Sequence, residues 1–474
     1  MPRGVVAAGH PVTAEAGAEL LRAGGNAVDA ALAAMFASFV AEPLLTGLGA
    51  GGYMLVAPPG EEPVLLDFFV SAAGRGRADG APHAPLETIE VDFGDAVQLF
   101  HIGASAAGPY GTVAGACAAA ERFARLSLAE LVVPAVAHAR AGVEVNRQQA
   151  YLFEILAPIC AASPAARELY MPAGRPPVVG EVHRDPVLAG ALERLGAEGA
   201  APFYTGEVAA AVCAHVAERG GLLTPADLAA YEAVPRTPVP VAYRGRTVLT
   251  NPPPSAGGTL IAHALAKLDH APSPPSAPDI LGAMEEAQAQ RTPEFLSRLG
   301  STTHISAMDG EGWACAVTCT NGEGSGEVVP GTGVHLNNMM GEEDLSPYGF
   351  FTHPAGRRLP SMMAPTMVVG DGGPALALGS AGSNRIRSAI LQVVVGVLDH
   401  GLDVQAAIDA PRMHVEDGLT YLEPGVDETG LGDRSLVRFH APNLFFGGAQ
   451  AVERVGDELR GGCDFRRGGA VAVA

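Results

Sequence analysis

The chain has 474 residues, enough for one large or two medium domains, and 48% of them are hydrophobic, enough for a sizeable core. Its formal net charge of -21 argues against nucleic acid, whose phosphates demand a basic surface, and disfavours anionic membrane surfaces. Six scattered cysteines, Cys117, Cys160, Cys213, Cys315, Cys319 and Cys463, lie mostly among small apolar residues and read as buried free thiols, with no His/Cys cluster to suggest a metal.

Residues 1–8 lack the long apolar stretch of a secretory leader, and no later run is a clean membrane span, so the chain reads as cytoplasmic. Residues 12–42 carry helical periodicity, broken at Gly24-Gly25-Asn26, where one helix ends and another starts. The glycine-dense stretch 46–52 predicts a close backbone approach to another segment and leads into a strand over 53–57. A strand pair is expected around 64–70. The middle, 115–235, reads as mainly helical, with periodic segments over 127–141, 186–196 and 206–219. Ser127 is the N-cap of the first, and Pro186 suits the first turn of the second. Asn251-Pro252-Pro253-Pro254-Ser255-Ala256-Gly257-Gly258 forms a rigid turn before a helix. A Pro/Ser-rich loop over 271–278 precedes a short helix over 279–296. The last third reads as strands over 303–308, 313–320, 366–370 and 374–378, then helices over 384–400 and 404–410. This alternation fits a layered α/β sandwich better than a doubly wound parallel sheet.

Thr302-Thr303-His304 opens the first of those late strands. A threonine is a poor nucleophile until a base sits beside it. If the peptide bond between Ser301 and Thr302 is cut, the freed α-amine of Thr302 becomes that base, next to its own hydroxyl. The plainer reading is that Thr302 simply begins a β-strand, where threonine is favoured.

Several motifs settle between these readings. They are Ala8-Gly9-His10-Pro11, the run Ala23 to Ala31, Glu42-Pro43 with the glycines after it, and Pro252 to Gly258. Further along come Thr302-Thr303-His304, Leu336-Asn337-Asn338, Met363-Ala364-Pro365-Thr366 and Gly379 to Ile386. In this order they resemble the γ-glutamyltranspeptidase family of N-terminal-nucleophile hydrolases, from about residue 4 to about residue 424. The resemblance implies an α+β fold, a four-layer αββα sandwich with a helical region in its N-terminal portion. It implies self-cleavage into a large subunit, 1–301, and a small one, 302–474, which together form one domain. No cofactor is implied. Thr302 takes the nucleophile position, and Thr320 matches a threonine that hydrogen-bonds to it. Gly382 and Ser383 match the family's oxyanion loop, whose backbone N–H groups hold the developing charge. Asn321 begins a loop expected to lie over the pocket.

The chain departs from the family at the substrate end. The family's arginine that clamps a glutamyl α-carboxylate is here Phe69, and an aromatic ring cannot replace bidentate recognition. Arg75 and Arg77 are the nearby cations in the sequence. The aspartate that holds the α-amino group aligns with Glu342. Of a serine pair, Ser361 is kept and the second position is Met362. The reading is therefore a self-processing threonine hydrolase or acyltransferase that cleaves an amide-type bond in a small amino-acid-like substrate through an acyl-enzyme. One alternative is a carbon–carbon hydrolase acting on an alkylproline-type intermediate of antibiotic biosynthesis. Another is a non-catalytic, uncleaved relative used for binding.

Overall fold

The computed structural model describes residues 3–78, 80–92, 97–290, 302–346 and 348–474. Two antiparallel sheets lie face to face between layers of helices. The first has seven strands in the order Ala470–Val473, Gly4–Ala8, Thr303–Asp309, Ala314–Thr320, Gly51–Ala57, Val64–Phe68 and Val234–Arg236. The second has six, in the order Glu458–Cys463, Gly448–Val455, Gly373–Ala381, Thr366–Gly370, Arg246–Thr250 and Val239–Tyr243. Helices Pro11–Arg22 and Ala27–Ala41 cover the outer face of the first sheet, and Ala256–Leu268, Arg385–Leu398 and Val404–Asp409 cover that of the second. This is the expected αββα sandwich, and each sheet takes strands from both sides of Thr302.

The break at Gly24-Gly25-Asn26 falls where the sequence places it. Gly24 adopts φ +100, and the Asn26 side chain then accepts from Val28 N and Asp29 N while Asp29 accepts from Asn26 N. That reciprocal cap starts Ala27–Ala41, all of whose residues are buried. A helix apolar on every side belongs in an interior. Ser127 caps Leu128–Leu131, as expected, but a new helix, Val133–Ala141, begins beyond Val132 with Pro134 in its first turn. Proline in a first turn loses no hydrogen bond, which explains the division.

Other boundaries shift more. Only one strand, Val64–Phe68, lies in 64–70, and its partners are Gly51–Ala57 and Val234–Arg236. The loop predicted over 271–278 gives way at Ala277 to a helix, Ala277–Ala289, and the rest of the helix predicted to 296 falls partly outside the described residues. The first strand of the chain, the hairpin Glu87–Asp92 with Val97–Ile102, and the strands over 239–250 and 448–473 were not expected. Gly448–Val455 and Glu458–Cys463 complete the second sheet, and Ala470–Val473 the first. Among the described residues no helix is long and apolar enough to cross a membrane.

The glycine-dense stretch makes the close approach its composition predicts. A Cβ on Gly52 would collide with the carbonyl oxygen of Thr318 on the neighbouring strand, and one on Gly49 with that of His335. Gly52→Ala should therefore lower the urea midpoint by an amount equivalent to about 2–3 kcal/mol. Gly190 lies exposed in the helix Pro186–Glu198 with open space around it. Gly190→Ala should be neutral or stabilise by up to about 1 kcal/mol.

Candidate active site

Thr303 pairs with Cys319 and His304 with Thr318, so one step further along that register brings Thr302 level with Thr320. Alternation then sorts the side chains of this hairpin. Thr303 faces the helix layer, and its hydroxyl donates to Glu42 Oε2 at 2.7 Å. His304 faces the second sheet. Its ring nitrogens bond Thr318 Oγ1 at 2.7 Å and Ser306 Oγ at 2.9 Å, and a Cβ on Gly379 opposite would strike the ring. Burial pushes its pKa down to about 3, so the imidazole is neutral. His304 is a satisfied polar brace between sheets, and it does not line the cavity at Thr302.

That cavity is small, about 30 Å³. It gathers most of the residues singled out from the sequence: Phe69, Thr302, Thr320, Glu342, Ser361, Met362 and Ser383. Met339, Leu345, Met363 and Ile386 complete the wall, which has one carboxylate, Glu342, and no lysine or arginine. The Thr320 hydroxyl accepts from Gly322 N at 3.0 Å, and Ser361 Oγ accepts from Met363 N at 3.0 Å. The proline-rich turn explains how the second segment is held: Ser255 Oγ donates to the carbonyls of Ser361 and Met363, and Ala256 N to that of Ser361. Phe69 stacks on Tyr53, ring centroids 5.6 Å apart.

Three expectations change. Asn321 is fully buried but does not line the cavity; its side-chain amide donates to the His335 carbonyl at 3.4 Å, because the loop after Thr320 folds against 335–338. Arg75 and Arg77 point elsewhere. Arg75 packs against Gly356, and Arg77 donates to the carbonyls of Gly221 and Pro82. The cation near Phe69 is Arg358, which donates to the Phe69 carbonyl at 2.6 Å and pairs with Asp67 at 3.2 Å. It holds the backbone of this segment and is not on the cavity wall. Gly382 has φ +111, and a Cβ there would lie 2.7 Å from Gly447 Cα. The crowding that requires glycine comes from that neighbouring turn. Ser383 lines the cavity with φ +56, a left-handed conformation unusual for serine. Ser301 lies outside the described residues.

The chain's match to a family model is decisive. Residues 13–295 and 285–474 match the model described as gamma-glutamyltranspeptidase. The chain belongs to the γ-glutamyltranspeptidase family. It is 31% identical, over 90% of its length and 85% of the relative's, to an acylase ACY 1 proenzyme of Pseudomonas sp. (strain V22). It is also 31% identical, over 87% of its length and 81% of the relative's, to a glutathione hydrolase proenzyme of Escherichia coli (strain K12). A solved cephalosporin acylase of Bacillus halodurans superposes with TM-score 0.81 over 99% of this chain and 96% of that one at 24% identity, a likeness of fold.

Sequence reading gave Glu42 no role beyond its motif. Its carboxylate is buried and takes both Thr303 Oγ1 and, at 3.0 Å, Thr13 Oγ1. A Cβ on Gly9 would press into it, which explains that glycine. The signal available was a single acid inside the apolar run Val40 to Leu45. Burial raises its pKa from 4.5 to about 7, and the threonine hydrogen bonds and the Arg467 charge pull only partly back. A raised folded-state pKa contributes stability that is full below about 4.5 and lost as pH rises through about 7. The full effect is on the order of 3 kcal/mol. The melting temperature of the wild type, compared with Glu42→Gln at each pH, should therefore fall between pH 4.5 and pH 8. A difference that stays flat with pH would show that this carboxyl does not titrate there.

Proposed function

We propose that the chain is a self-processing threonine hydrolase of its family that cleaves an amide-type bond by way of an acyl-enzyme. The observation that carries this reading is the convergence of Thr302, Thr320 and Ser383 on one cavity at the end of the central strands. In the proposed reaction Thr302 Oγ attacks the substrate carbonyl carbon while the α-amine of Thr302 takes the hydroxyl proton. The backbone N–H groups of Gly382 and Ser383 hold the oxyanion. Collapse expels the leaving amine, which receives that proton, and water or an amine then resolves the ester. Large and small subunits, 1–301 and 302–474, would arise from the same precursor, in keeping with the proenzyme names of both relatives.

The wall composition supports a substrate different from a free γ-glutamyl group. Phe69 and Met362 make the cavity apolar where a carboxylate clamp would sit, and Glu342 suits a cationic amine. Each missing charge-assisted hydrogen bond weakens binding by about 1.5–3 kcal/mol. That is about tenfold or more in affinity. The acyl group would thus be amino-acid-like, with an amine and a bulky or cyclic apolar body.

Cleavage is checked on a denaturing gel and by N-terminal sequencing. Wild type should give two pieces, the smaller beginning Thr-Thr-His-Ile-Ser, and Thr302→Ala should stay whole and inactive. An active preparation with only the intact chain would overturn the mechanism. Specificity is checked with a γ-glutamyl anilide, which should be a poor substrate of the wild type and a better one, by about tenfold in kcat/KM, for Phe69→Arg. Strong wild-type turnover that the arginine leaves unchanged would show that recognition runs through other residues.

A further inference from the structure

A cavity far larger than the one at Thr302 lies elsewhere among the described residues. It measures about 960 Å³ and shares no lining residue with the Thr302 cavity. Its walls are the end of the helix Ala27–Ala41, the segment around 164–188, and the hairpin Val328–Val329 with Val334–His335. Residues from both sides of Thr302 therefore meet there, and small-molecule sites favour such junctions and volumes.

The polar part of the wall is built from neutral rings. Tyr170 bonds His335 Nδ1 at 3.0 Å, and its ring lies 5.9 Å from that of His183 and 5.5 Å from that of His335. Burial lowers both histidines to about 4, which leaves them uncharged near neutral pH. Thr46, His183 and His335 are each more than nine-tenths buried. Thr46 Oγ1, His183 Nε2 and His335 Nε2 have no hydrogen-bond partner among the described residues. Each belongs to a residue of the cavity wall, and buried polar groups are ordinarily paired. The charges at its rim, Glu168, Arg175, Glu181 and Arg184, balance in sign, and Arg175 and Glu181 already pair at 2.7 Å. Asp185 is engaged at Leu188 N, 2.8 Å away. The remaining wall is proline, valine and leucine with Phe39.

We propose that this cavity is a second binding site, separate from the Thr302 cavity, for an uncharged small molecule with an apolar or aromatic body and at least one hydrogen-bonding group. The balanced charges offer no reason to bind an ion, and the apolar wall penalises one. The volume holds a two-ring molecule.

The test is a fluorescence titration of the wild-type protein with N-phenyl-1-naphthylamine, a neutral two-ring probe carrying one N–H. Saturable one-to-one binding is expected. Ala173→Trp and Val187→Trp each place an indole at an exposed position of the wall and should weaken binding at least tenfold. Thr302→Ala should leave it unchanged, so the outcome does not depend on the catalytic reading. The anionic analogue 8-anilino-1-naphthalenesulfonate should bind at least tenfold more weakly than the neutral probe. Unsaturable binding, binding indifferent to both tryptophans in folded protein, or equal affinity for the anion would overturn the proposal. The anion comparison needs no variant, so it decides even if a tryptophan substitution prevents folding.

Discussion

Thr303 lies opposite Cys319 and His304 opposite Thr318, and this register fixes what every side chain of the central hairpin meets. A slip of one residue would turn His304 towards the helix layer and Thr303 into the space between the sheets. The polar partners on each side are specific. Glu42 waits for a hydroxyl on the helix side, while Thr318 and Ser306 serve a ring on the other, and Ser306 in turn donates to the Gln450 carbonyl. Misplacing either would leave a buried polar group unpaired, at about 1–3 kcal/mol each. Polar satisfaction thus pins the strand that carries Thr302 more tightly than the surrounding valines and alanines could.

The same logic operates at the sheet edges. Asp67 is fully buried, yet it accepts from Phe69 N and pairs with Arg236 at 2.7 Å and Arg358 at 3.2 Å. At the far end, Arg412 and Arg466 both pair with Asp464, and Arg466 also grips Glu423. Buried pairs of this kind add little net stability compared with apolar packing, but removing one partner strands the other. Their value here is placement. Arg358 fixes the backbone that presents Phe69, and the Asp464 cluster fixes the turn before the final strand, including Arg467, whose charge reaches Glu42.

Close backbone packing is the second means of placement. Gly257 and Gly258 lie against the Met362 and Asn251 backbones, so the proline-rich turn can clamp the 361–363 segment. Gly382 and Gly447 lie against each other in the same way at the oxyanion loop. These contacts have no room for a methyl group. They hold the wall of the Thr302 cavity without spending side chains on it.

Local sequence determined a good deal. Caps and breaks at Asn26 and Ser127, the glycine approach at 49–52 and the paired strands 303–308 and 313–320 were all readable, because each depends on a few adjacent residues. The order of the motifs was enough to give the family and its layered fold, and it pointed to Phe69, Thr302, Thr320, Glu342, Ser361, Met362 and Ser383, which do meet at one cavity. What only the tertiary structure decided depends on partners far apart in the chain. The short strands over 239–250 and 448–463 were not legible locally, so four of the six strands of the second sheet emerged only with their partners. Asn321 looked like a pocket residue until the fold turned it to His335, and Arg75 and Arg77 until Asp227 and the 220–221 turn drew their segment away. Glu42 became legible only when Thr13 and Thr303, residues 29 and 261 positions away, closed around it.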